Sequence, residues 1–169
     1  ALYVGISKYP REAAATAYRY LADNHVPCLL YQGCYNMFNR EAEEKGILEQ
    51  AYNEGSGFVA FSPLAQGLLT DRYLNGIPED SRIARGGNLK KEALTDEVLR
   101  KIKALNEVAL RRGQTLAEMA LAWLLKDQMV TSVIIGASSV KQIDDNLKAL
   151  NNTSFCDEEI TLIDSILKS

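Results

Sequence analysis

The sequence predicts an α/β fold built on a parallel sheet, and three observations carry that prediction. Four short apolar runs, Leu2–Ser7, Pro27–Tyr35, Gly57–Leu64 and Thr131–Ser138, are rich in Val, Ile, Leu, Phe or Tyr and keep no clean polar alternation. Such runs read as strands buried on both faces. Helical patterns fill the intervals, giving the order β-α-β-α-β-α-α-β-α-α, and alternating strands and helices mean parallel pairing through right-handed crossovers. Two architectures satisfy that order: an open doubly wound sheet, and part of a (β/α)8 barrel. A whole barrel takes about 250 residues, so four βα units in 169 residues amount to half of one.

The elements follow in turn. The chain starts on Ala1 and enters the first strand at once, without the charged start and long apolar stretch of a signal peptide. A chain that opens in mid-strand is expected to be a fragment of something longer. Pro10 precedes a helix over Arg11–Asn24, with Ala14, Ala17, Tyr18 and Leu21 at helical spacing. Arg40–Glu54 carries Ile47, Leu48 and Ala51 and reads as the next helix. Thr95–Arg112 bears the stripe Val98, Leu99, Ile102, Leu105, Val108 and Ala109, and Gly113 stops it. Thr115 and Glu118 form a capping box that opens a helix to about Lys126. Val140–Leu150 and Asp157–Leu167 are the last helices. Between Gln66 and Ala93 only a turn near Leu68–Tyr73 is expected, and structureless loops this long are uncommon unless functional or disordered.

Composition narrows the function classes. Hydrophobic residues at 47% and charged residues at 24% are those of an ordinary globular protein, which excludes disorder as the main state. No apolar run approaches the roughly 18 residues needed to span a bilayer, so no membrane partner is expected. With 19 Lys+Arg against 22 Asp+Glu the net charge is −3, and a nucleic-acid partner would need a basic face. Cys28, Cys34 and Cys156 lack metal-ligand spacing and are too few for a disulfide scaffold, which fits a reducing cytoplasm.

Parallel α/β folds bind ligands at the carboxyl ends of their strands. Here those ends read Gly5-Ile6-Ser7-Lys8-Tyr9, Tyr31-Gln32-Gly33-Cys34-Tyr35-Asn36, Phe61-Ser62-Pro63-Leu64-Ala65-Gln66-Gly67 and Ile135-Gly136-Ala137-Ser138-Ser139. All turn from apolar to small or hydrogen-bonding residues. Ser and Gly also simply end strands, but four such ends in succession point to a ligand face. The last runs directly into a helix start, where unpaired N–H groups and the helix dipole favour phosphate. Gln142 and Asn146 share a face of that helix and Asp145 lies beside it. Arg72, Arg82 and Arg85 lie in the long loop, and guanidinium forks match phosphate oxygens. Phe61 could stack on a flat ring or serve the core. His25, the single histidine, precedes a strand at the end opposite the ligand face. No Ser-His-Asp set, metal cluster, GxGxxG or Walker loop is present, so no catalytic residue is assigned.

At these same strand ends the sequence resembles the aldo-keto reductases. The resemblance rests on Leu2-Tyr3-Val4-Gly5-Ile6-Ser7, Tyr35-Asn36, Phe61 through Thr70, Asn75-Gly76-Ile77-Pro78 through Ser81-Arg82, and Ile135-Gly136-Ala137-Ser138 through Gln142, Asp145, Asn146 and Leu147. It is strongest toward the branch that holds the potassium-channel β subunits and bacterial L-glyceraldehyde 3-phosphate reductase. It implies that the chain is the C-terminal half, strands five to eight, of a (β/α)8 TIM barrel. It further implies binding of NADPH (NADP) across the carboxyl face and reduction of aldehydes or ketones, such as methylglyoxal or small aldose phosphates. By position, Ser7 and Gln32 would hold the nicotinamide carboxamide and Phe61 would stack on the ring. Ser62, Leu64 and Gly67 would line the pyrophosphate, and Arg72 and Arg82 belong to the loop over the cofactor. Ser138, Gln142, Asp145 and Asn146 would take the adenosine and 2′-phosphate end. The family's catalytic Tyr, Lys, Asp and His lie in the other half, so this segment alone is expected to be inactive. Its expected partners are a small carbonyl substrate and the missing N-terminal half, or a second copy. A non-catalytic dinucleotide-binding module of channel β-subunit type is the alternative.

Overall fold

The computed structural model describes residues 1–74, 76–78 and 91–169. Four strands, β1 (Val4–Ser7), β2 (Cys28–Cys34), β3 (Gly57–Phe61) and β4 (Ser132–Ile134), form one sheet in chain order. Every pair is parallel. A doubly wound sheet reverses its strand order at a switch point; this order never reverses, which places all right-handed crossovers on one face. The helices α1 (Arg11–Asp23), α2 (Glu41–Glu44), α3 (Ile47–Asn53), α4 (Asp96–Arg111), α5 (Leu116–Leu124), α6 (Val140–Leu147) and α7 (Asp157–Lys168) complete the chain.

Burial follows the pleat. Ile6, Tyr31, Phe58 and Ala60 are buried in one cluster with Ala14 and Tyr18 of α1, Leu48 and Ala51 of α3, and Trp123 of α5. Tyr31 stacks on Phe58 with ring centres 5.5 Å apart. Residues one step along each strand face the other way: Ser7 and Ile134 are exposed, while Leu30, Gln32, Cys34, Val59 and Phe61 are half-buried. The apolar runs predict burial on both faces, whereas half of a barrel standing alone is expected to leave the inward strand faces open; the structure has the open face. Among the described residues the helices that pack against the sheet do so on the face of Tyr31 and Phe58, and the other lies open. Among the described residues strands β1 and β4 each have one neighbour, which leaves two sheet edges.

Local chemistry explains the helix limits. Thr95 Oγ1 accepts from Val98 N at 3.1 Å to start α4. The predicted capping box at α5 is formed, with Thr115 and Glu118 each accepting the other's backbone N–H. The single helix expected over Arg40–Glu54 is two, because Gly46 takes a left-handed φ of 66° between α2 and α3. The fourth strand is shorter than its apolar run. In the long loop, short 3-10 turns form at Ala65–Gly67, Asp71–Tyr73 and Lys91–Ala93. Buried Arg112 fastens α7 to the body. It bonds Glu159 at 2.6 Å and the Ser154 carbonyl at 2.8 Å, and lies 3.6 Å from the Phe155 ring centre. Helix α6 shows solvent an apolar stripe of Val140, Ile143 and Leu147, with Leu150 beyond it.

Candidate functional site at the carboxyl ends of the strands

Because every pair is parallel, the four carboxyl ends lie along one edge of the sheet. Ser7 pairs with Gln32 in the β1–β2 register, and Ser7 Oγ donates to Gln32 Oε1 at 3.1 Å. Both side chains stand on the open face. The Gln32 NH2 takes no partner among the described residues. The pair therefore presents amide N–H donors and hydroxyl lone pairs, the complement of a carboxamide. Phe61, opposite Cys34, stands on the same face. Lys8 has a left-handed φ of 60°, donates its N–H to the Gln32 carbonyl at 2.9 Å, and brings Nζ to 5.9 Å from the Phe61 ring centre. The structure thus brings together Ser7, Gln32 and Phe61. Burial pushes the Cys34 thiol upward, more than Lys8 draws it down, so the thiolate is disfavoured beside them. A groove of about 260 Å³ runs along β1 and β2, lined by residues 3–7 together with Leu29, Leu30 and Gln32.

The turn after β3 is unusual in its backbone. Ser62 (φ 55°), Ala65 (φ 46°) and Gln66 (φ 59°) are left-handed non-glycine residues within five positions, and Gly67 follows at φ 102°. Each such residue costs on the order of 1 kcal/mol, and conformations of this kind cluster at ligand sites. The turn closes through Ala65 N to the Ser62 carbonyl (3.0 Å), Gly67 N to the Leu64 carbonyl (2.8 Å) and Thr70 Oγ1 to the Gly67 carbonyl (2.7 Å). Thr70 also caps the Asp71–Tyr73 turn, which carries exposed Arg72. Leu64 packs against the core. Arg82 and Arg85 lie outside the described residues.

At the fourth end, Ser139 Oγ caps α6 by accepting from Gln142 N at 3.3 Å. Gln142 Oε1 turns back to accept from Ser138 N at 2.7 Å and Ser138 Oγ at 3.1 Å. Asp145 is bracketed by Lys141 (2.5 Å) and Lys148 (2.7 Å), which hold its carboxyl below the usual range. Asn146 is half-buried beside it. Ser138 and Gln142 therefore meet, and two lysines add positive charge that the sequence reading did not single out. Since Phe61 pairs with Ile134, this cluster follows the strand next to the strained turn.

One residue of this edge was visible only as part of a motif. Asn36, 3% exposed, donates from Nδ2 to the Ser62 carbonyl at 2.9 Å. Its sequence signals are a polar residue just beyond an apolar strand and its place in the Tyr35-Asn36 pair of the resemblance. His25 is exposed in the turn before β2, away from these ends. Among the described residues no group of three or more His, Cys, Asp or Glu could hold a metal ion. No described helix is long and apolar enough to cross a membrane.

The chain is similar to known proteins in sequence and in fold. The Aldo/keto reductase family matches residues 1–168. The L-glyceraldehyde 3-phosphate reductase of Escherichia coli (strain K12) is 49% identical over 168 residues, covering 97% of this chain and 49% of that protein. A probable voltage-gated potassium channel subunit beta of Arabidopsis thaliana is 40% identical over 156 residues, 89% of this chain and 47% of its own length. Among solved structures, a thermostable aldo-keto reductase in complex with the inhibitor epalrestat matches with a TM-score of 0.70 at 27% identity, covering 97% of this chain and 48% of that one. The chain thus spans about half the length of the curated relatives it matches. In sequence over nearly its whole length, and in its parallel α/β fold, the chain belongs to the aldo/keto reductase family.

Proposed function

We propose that residues 1–169 are the C-terminal half, strands five to eight, of an NADPH-dependent aldo-keto reductase barrel, and that they form its cofactor-binding side. The observation that carries this reading is the Ser7–Gln32 hydrogen bond on the open sheet face beside Phe61. Ser7 and Gln32 would hold a carboxamide, and Phe61 would stack against the attached ring. Ser62, Leu64 and Gly67 would line the pyrophosphate with a turn whose shape is already set. Arg72 and Arg82 would neutralise phosphate charge, and Ser138, Gln142, Asp145 and Asn146 would meet the adenosine end, where Lys141 and Lys148 stand near. When bound, NADPH supplies the hydride that reduces a carbonyl. The chain's own contribution is orientation, since a misplaced ring slows transfer steeply.

The open sheet face, the two edges and the exposed stripe on α6 support a missing partner half, because in a closed barrel such surfaces are covered. Small aldehydes and ketones are the proposed substrates, methylglyoxal and aldose phosphates among them. The identity with L-glyceraldehyde 3-phosphate reductases supports a phosphorylated aldose. A cytoplasmic setting suits a nicotinamide-dependent reductase. The 40% identity to a channel β subunit supports a second reading, a regulatory module that binds the dinucleotide without rapid turnover. Turnover decides between them. Protein expressed from its complete reading frame should oxidise NADPH with glyceraldehyde 3-phosphate or methylglyoxal. Binding of NADPH without turnover favours the regulatory module, and no binding removes both readings.

A further inference from the structure

We propose that Asn36 is a positioning residue for the cofactor loop after β3, acting through its side-chain NH2. This inference rests on the reading of that loop as a pyrophosphate-binding segment. The β2–β3 ladder ends at the Cys34–Phe61 pair, and the next backbone contact, Tyr35 N to the Phe61 carbonyl, is long at 3.4 Å. Where the backbone ladder fails, the Asn36 side chain continues it. Nδ2 donates to the Ser62 carbonyl at 2.9 Å, the residue at which the chain turns left-handed.

The other end of the same amide has a separate task. Asn36 Oδ1 accepts from Phe38 N and Asn39 N, both at 2.9 Å, while the Asn36 and Asn39 backbones exchange bonds at 3.1 Å. That turn is tied into the body beyond it. Arg40 bonds Glu43 and Asp164, each at 2.5 Å, and Tyr35 Oη donates to Glu43 at 2.7 Å. The turn is therefore a fixed platform, and the single bond from Nδ2 crosses from it to the strained loop. Oδ1 serves the local fold; Nδ2 serves the neighbouring loop. Phe61 and Ser62, expected at the ring and the pyrophosphate, flank that crossing point.

The two tasks can be separated chemically. Asn36→Asp keeps an acceptor for both turn amides but replaces the donor with a carboxylate that faces the Ser62 carbonyl. Protonated, the same side chain regains an O–H donor. In protein expressed from its complete reading frame, N36D should fold with a lowered melting temperature, because it buries a carboxylate against a carbonyl, and should bind NADPH about tenfold more weakly at neutral pH, the worth of one hydrogen bond. The KM for the carbonyl substrate should not move. The affinity ratio of wild type to N36D should shrink as pH falls into the carboxyl titration range. Taking the ratio cancels titration of the cofactor's own phosphate. If N36D does not fold, Asn36→Ser replaces it, since its hydroxyl serves the turn but cannot reach Ser62. Folded N36D or N36S with wild-type affinity would overturn the proposal, as would a loss in N36D that low pH does not reduce. Gln32→Ala run in parallel isolates the underlying reading. If that change leaves NADPH binding intact, the site reading fails; if it weakens binding while the Asn36 variants do not, only the positioning role fails.

Discussion

A single methyl group at Gly67 asks whether the turn after β3 must keep the backbone seen here. Gly67 stands at φ 102°, a conformation that L side chains rarely adopt. Among the described residues a Cβ built there meets only the Tyr73 ring, at an ordinary contact distance of 3.8 Å. The penalty of Gly67→Ala is therefore backbone strain without a clash, about 1–2 kcal/mol. In a complete barrel of about twice this length each kcal/mol lowers Tm by about 1–2 °C, so G67A should melt about 1–4 °C below wild type if the turn holds its shape. If the turn relaxes instead, Gly67 N leaves the Leu64 carbonyl, now at 2.8 Å, and the proposed pyrophosphate stretch is lost. NADPH affinity should then fall about 2- to 13-fold, the range of one hydrogen bond. Thermal melting and fluorescence titration with NADPH, on protein from the complete reading frame, measure both. A variant unchanged in melting and in affinity would refute the argument.

Three further outcomes are expected. Replacing Arg72 and Arg82 together with Ala should weaken NADPH binding by about 1–3 kcal/mol and NADH binding less; equal affinities for both cofactors before and after the change would remove these arginines from the phosphates. Arg112→Ala removes a buried guanidinium and should cost about 2–4 kcal/mol in urea unfolding. It should also flatten the pH dependence of stability: burial raises the Glu159 pKa, but the Cys156 N–H and Arg112 together bring it below the usual value. Such a carboxylate stabilises the fold above its unfolded pKa, and that contribution is lost as pH falls through the folded one; a loss under about 1 kcal/mol with an unchanged profile would contradict this. Residues 1–169 expressed alone should associate or aggregate through the open face and edges, and should not reduce carbonyls with NADPH. A monomer by sedimentation equilibrium at micromolar concentration, with a sharp cooperative melt, would contradict that.

The parallel order of elements was legible because strand and helix periods alternate cleanly, and the capping box at Thr115 because its spacing is diagnostic. The placement of Ser7, Gln32 and Phe61 on one edge follows from the parallel strands alone. Other features depend on contacts between distant residues. Apolar strands alone reveal burial and not what covers each face, so the open face around Leu30 and Val59 is expected only once four βα units are counted as half of a barrel. The break between α2 and α3 turns on the φ of Gly46, which helix propensity averages away. Left-handed Ser62, Ala65 and Gln66 carry residue types that do not favour that backbone; the surrounding structure imposes it, partly through Asn36. The role of Asn36 is itself a product of the fold, since its partner lies 26 positions away.

The most direct measurement is a fluorescence titration of NADPH against protein from the complete reading frame, wild type beside Gln32→Ala. Gln32 stands at the carboxyl end of β2 and its side chain makes one hydrogen bond, to Ser7, so its loss should lower the melting temperature only slightly. Saturable binding by wild type, weakened about 2- to 13-fold in the variant by the loss of a carboxamide hydrogen bond, is the predicted result. Absent binding, or identical affinity in both proteins, would contradict the assignment of these strand ends to a nicotinamide cofactor.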